Sequence, residues 1–133
     1  MLVATFYGDH PHHERSAALF SRQTRATGST AAHCLAEVYA VITGRPVQAR
    51  ASPEQALLLL HDIRERLTLV ALDCEEYGQA LAHAAELGVA GGGIYDAVIA
   101  HCALKVKAQT LYTWNTRHFT RLGPQIASRV KEP

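Results

Sequence analysis

Two short apolar runs, LTLVAL at residues 67–72 and QTLYTW at 109–114, each follow a stretch of helical character and lead into another. Neither leaves room for a helix, and both read as strands, the second on good β propensity. The helices between and before them carry explicit punctuation. Ser52-Pro53-Glu54-Gln55 has the form of a capping box with proline in the first turn, opening a helix that should end near Arg66. Asp73 and Glu76 form a second box, ahead of a helix that Gly88 closes. Strands separated by capped helices imply βαβ units and a mostly parallel sheet, so the fold class is α/β. In such sheets ligands gather at the carboxyl ends of the strands.

The remaining chain fits the same scheme. Asp9-His10-Pro11 opens a helix expected to run to about Arg25, with Asp9 as its cap and Ala17, Leu19 and Phe20 on its buried side. Gly28-Ser29-Thr30 breaks it. A further helix spans about residues 32–43 and stops at Gly44, with Pro46 just beyond. IYDAVIAHCALKVK, residues 94–107, forms another after Gly91-Gly92-Gly93. GSTA around residue 29 and ASRVKE near the end are weaker strand candidates. With 133 residues and neither repeat nor linker, the chain is expected to form one domain, 1–133.

Several functional classes are set aside by composition. No basic leader precedes the apolar opening MLVATFY, which excludes a secretory signal, and no apolar run approaches the 18 or so residues of a membrane span. A soluble, cytoplasmic protein is expected, with no membrane partner. Net charge is +1, so any nucleic-acid site must be a local patch. Cys34, Cys74 and Cys102 are odd in number and widely spaced, as in a reducing compartment, and none has a Cys or His at the usual zinc-ligand spacing.

Two carboxylates break the pattern around them. Glu37 is the only Asp, Glu, Lys or Arg between Arg25 and Arg45, inside AAHCLAEVYAVIT, and Asp96 is the only one between Glu86 and Lys105. Helices apolar nearly all round are buried, and a dry carboxylate costs several kcal/mol unless paired or metal-bound. Either residue alone is equally well explained by an arginine partner or a solvated tip. Two in separate buried helices point to a shared cation, and oxygen ligands suit Mg²⁺ or Mn²⁺. TLYTWNTRHF adds polar groups where a strand ends.

Taken in order, these segments resemble a PIN domain, a fold of metal-dependent ribonucleases, and within it the VapC-type toxins of toxin–antitoxin pairs. FYGDHPHHERSAALF resembles the family's first helix and its preceding loop, and AHCLAEVYAVITGR the helix bearing a buried glutamate, matched by Glu37. GGGIYDAVIAHCAL resembles the helix bearing a central aspartate, matched by Asp96, and TLYTWNTRHF the strand-to-loop motif that places Asn115 at the last acidic position. The resemblance implies a three-layer α/β/α sandwich, Mg²⁺ or Mn²⁺ held by Glu37 and Asp96, and hydrolysis of RNA phosphodiesters. By position in the motif, Asn115 would orient a water and Thr113 would support the site through its hydroxyl. Arg117 is a candidate phosphate contact, with Arg45 and Arg50 behind it; His12, His13 and His118 are assigned surface or structural roles. An antitoxin and a second copy of the chain are the implied protein partners.

One departure bears on activity. The family opens with a strand ending in Asp before an apolar stretch such as Met1-Leu2-Val3-Ala4, and here that strand and acid would precede Met1. MLVATFY is then expected to begin the first helix, and the sheet to lack its first strand. The first reading is a ribonuclease whose natural start lies upstream. The alternative is a catalytically impaired PIN domain that still binds RNA or antitoxin. A third is an unrelated α/β protein in which Glu37 and Asp96 pair with arginines.

Overall fold

The computed structural model describes residues 1–44 and 50–133, which fall into two compact units, Met1–Leu69 and Val70–Pro133. Arg45 and Pro46 lie outside the described residues.

In the first unit, α1 (Leu2–Thr5) precedes α2 (His13–Ser21), β1 (Ser29–Ala31), α3 (His33–Thr43), α4 (Pro53–Arg66) and all but the last residue of β2 (Thr68–Val70). MLVATFY is thus a short helix of its own. The expected cap at Asp9 does not form: α2 starts four residues later, at His13, with His12 at its N-cap. Successive turns fill the interval, with His10 N–H donating to the Tyr7 carbonyl and His13 N–H to that of His10. The His10 ring accepts the His12 N–H through Nδ1, taking the place a capping carboxylate would have held. The His13 ring meets the Ala4 carbonyl at 3.0 Å and ties α2 to α1.

Leu2, Phe20, Val38, Ile42, Ala56, Ile63 and Leu67 form the core of this unit. Phe6 meets Phe20 edge-on, with centroids 5.5 Å apart, and the Arg66 guanidinium lies 5.4 Å above the Phe20 ring. The Ser52–Gln55 box is present in both directions, so α4 begins where the sequence placed it. β1 pairs with β2, and Thr68 N–H donates to the Gly28 carbonyl. A Cβ at Gly28 would lie 2.7 Å from Leu67 Cδ2 and 3.0 Å from Gln23 Cβ, so a side chain there would have to push the Leu67 side chain aside.

The second unit runs α5 (Cys74–Glu86), α6 (Gly93–Lys105), β3 (Leu111–Tyr112), α7 (Thr116–Thr120), α8 (Pro124–Ala127) and β4 (Val130–Lys131). Both arms of the Asp73–Glu76 box are made, and Gly88 ends α5 at φ +67°, a conformation that favours glycine. β3 and β4 pair in parallel, Leu111 opposite Val130 and Tyr112 opposite Lys131. Ala84, Ala97, Ala100, Leu111, Phe119, Leu122 and Ile126 form the core. The strands lie within the predicted segments but are only two or three residues long. α7 and α8 had no counterpart in the sequence reading.

Glu76 also reaches across to α6, where Lys105 Nζ donates to its Oε2 at 2.5 Å. That hydrogen bond, with help from the Asp73 N–H, holds the Glu76 carboxyl below its ordinary pKa. A depressed folded-state value contributes stability at neutral pH that is lost as pH falls through it. Glu76→Gln should therefore lower the melting temperature at pH 7, and the difference from wild type should close below about pH 4. A difference unchanged from pH 7 to pH 3 would assign the effect to packing instead.

Candidate functional site

The candidate residues of the second unit converge on one carboxylate. Asp96 lies in the first turn of α6, where the unpaired N–H groups and the helix dipole favour negative charge. Its side chain is 19% exposed, which leaves the carboxylate reachable from solvent. Asn115 Nδ2 donates to Asp96 Oδ2 at 3.3 Å, and His118 Nδ1 meets the same oxygen at 3.2 Å.

These partners are delivered by the strand-to-helix junction. β3 ends at Tyr112, and Thr113 continues the ladder, its N–H donating to the Lys131 carbonyl at 3.0 Å. Thr113 is buried, and its Oγ1 accepts the Asn115 N–H at 3.0 Å, fixing the turn into α7. Asn115 is the N-cap of α7, and buried Phe119 anchors that helix in the core. Asn115 and His118 are three residues apart, so one helical turn brings both side chains to Asp96. That spacing was the available signal for His118, which sequence reasoning had assigned a surface or structural role. Arg117 is exposed on α7, and Arg50 is exposed ahead of α4.

Glu37 belongs to the first unit, on α3. It does not occupy a dry interior: its side chain is 40% exposed and lies 3.9 Å from His33, one turn earlier. Val38 and Ile42 are buried, whereas Ala36, Ala40 and Val41 are exposed. Ala36 and Ala40 suit a buried or an exposed side equally, so the helix reads as apolar all round although one face meets solvent. The Met1 amino group is held below its ordinary pKa by burial, with Cys34 and the Glu37 carboxylate pulling the other way.

Asp96 Oδ2 receives the Asn115 amide at 3.3 Å and meets the His118 ring at 3.2 Å, and a carboxylate oxygen of this kind suits Mg²⁺ or Mn²⁺. Mg²⁺ keeps several waters and needs only one or two carboxylates when substrate phosphates complete its shell. Among the described residues no group of three His, Cys, Asp or Glu is positioned to hold an ion.

The PIN domain model covers residues 1–123, and the chain belongs to the PIN-domain family. Among its relatives is Ribonuclease VapC40 of Mycobacterium tuberculosis, found in two strains. It is 32% identical over 111 residues, covering 84% of this chain and 79% of the relative.

Proposed function

We propose that this chain is a divalent-metal-dependent endoribonuclease of the VapC type, the toxin of a toxin–antitoxin pair. The observation that carries the reading is the convergence of Asn115 and His118 on Asp96 Oδ2 in a chain of this family. Mg²⁺ or Mn²⁺, when bound, supplies the Lewis acidity that lowers the pKa of a water and offsets charge on the phosphate. Asp96 holds the ion from the start of α6. Asn115 orients a water through its amide, and Thr113 fixes Asn115 by accepting its backbone N–H. His118 meets Asp96 Oδ2 through its Nδ1 and holds the carboxylate in place from the side of α7. Arg117 meets the RNA backbone, whose charge dominates affinity.

Glu37 completes the acidic set in this reading. A family match over residues 1–123, which runs through both units, supports it and supports one PIN domain over residues 1–133. The partners are an RNA substrate, a cognate antitoxin and a second copy of the chain, in the cytoplasm. Among the described residues no helix is long and apolar enough to cross a membrane. Exposed Leu57 and Leu58 on α4 support dimerisation.

The test is cleavage of single-stranded RNA by the purified chain with Mn²⁺ or Mg²⁺. Cleavage that stops with EDTA and returns on re-addition of the ion is expected. RNA left intact at every ion concentration, or cut equally well in EDTA, contradicts the reading. On a sizing column the same preparation should elute as a dimer, and a monomer at high concentration would remove that part.

A further inference from the structure

Away from Asp96, two histidines meet across the α5–α6 hairpin. His83 lies in the last turn of α5 and His101 in the third turn of α6, and both are half-buried. His83 Nδ1 and His101 Nε2 face each other at 3.4 Å, with the rings inclined at 70°. That separation exceeds the range of about 2.7–3.2 Å of well-formed N–H hydrogen bonds. It matches the edge of a tetrahedral zinc site, where Zn–N bonds of about 2.0–2.1 Å put two nitrogens about 3.3–3.4 Å apart.

The surroundings favour a neutral, ligand-competent ring at His101. The pair lines a small cleft together with Ala97, Ala100, Leu122 and Ile126. Burial, and secondarily the neighbouring His83, pushes the His101 pKa down, so its ring is neutral at physiological pH. In the metal-free pair one facing nitrogen carries a proton. Moving that proton to the far nitrogen of the same ring frees both lone pairs without any change in charge.

We propose that His83 and His101 form a binding site for a borderline transition-metal cation of the Zn²⁺ class, cross-linking α5 to α6. Imidazole pairs select Zn²⁺, Ni²⁺ or Cu²⁺ and discriminate against Mg²⁺, so this site and the Asp96 site take different ions. Among the described residues no third His, Cys, Asp or Glu joins the pair, and the remaining coordination positions are open to water or an incoming donor.

Zinc titrated calorimetrically into the full chain in excess Mg²⁺ tests this. One zinc per chain is expected, with affinity lowered tenfold or more by His83→Ala and by His101→Ala and retained in His118→Ala. Zinc should also raise the melting temperature of the wild-type chain and not of the two variants. In imidazole ¹⁵N spectra of the wild-type chain, zinc should shift Nδ1 of His83 and Nε2 of His101, a readout that survives even if a variant misfolds. No zinc binding by the wild type, equal affinity in both variants, or unmoved His83 and His101 signals would overturn the proposal.

Discussion

Asp96→Asn is expected to lower RNA cleavage at least about 100-fold while leaving the fold intact. The substitution keeps the shape of the side chain and an oxygen to accept the Asn115 amide, so the turn around Thr113 and α7 has no reason to move. What it removes is the negative charge on which an ion at the start of α6 depends. Loss of a partner one layer removed from a metal typically costs 10–100-fold, and loss of the principal ligand should reach or exceed the top of that range. Initial rates with Mn²⁺, alongside far-UV circular dichroism, check it. Equal rates in both proteins would exclude Asp96 from the chemistry; a loss of rate accompanied by unfolding would make Asp96 a structural residue.

Ile42→Ala should have the largest effect on stability. Ile42 is fully buried in the core of the first unit, and its carbonyl accepts from Tyr7 Oη at 3.3 Å and from Ala51 N–H at 3.0 Å. Truncation deletes packed carbons and leaves a cavity, at a cost of about 2–5 kcal/mol. That is a large part of the roughly 5–15 kcal/mol that stabilises a typical domain. Gln79→Ala, at an exposed position on α5, should change stability by about 0.5 kcal/mol or less. Urea denaturation compares the two, and similar midpoints for both variants would contradict the assignment of the core.

Features set by neighbouring residues were legible in the sequence. Both capping boxes formed because their donors and acceptors lie three residues apart and need nothing from the rest of the chain. The four strands were found as segments, but their lengths were not: a strand extends only as far as its partner pairs with it, and propensity carries no information about the partner. α7 and α8 span five and four residues, too few for a hydrophobic period. Asp9 was misread because its neighbour His10 supplies the local hydrogen bond instead.

The candidate site divides along the same line. Asp96 stood out because its helix is otherwise uncharged, and Asn115 because it follows a strand. His118 was underrated because its role depends on which way α7 points once Phe119 is buried. Glu37 was found by the same charge contrast as Asp96, yet its exposure was misjudged, since alanines do not say which face of α3 meets solvent. His83 and His101 are eighteen residues apart on different helices, a pairing that only the α5–α6 hairpin creates.

The central claim is that Asp96 holds the ion on which RNA cleavage depends. Its most direct test is Mn²⁺ titration of the wild-type chain and of Asp96→Asn, read by the electron paramagnetic resonance signal of free Mn²⁺. The wild type should deplete that signal until its site is filled, and the variant should leave it close to the protein-free level. Equal depletion by the two proteins would contradict the account.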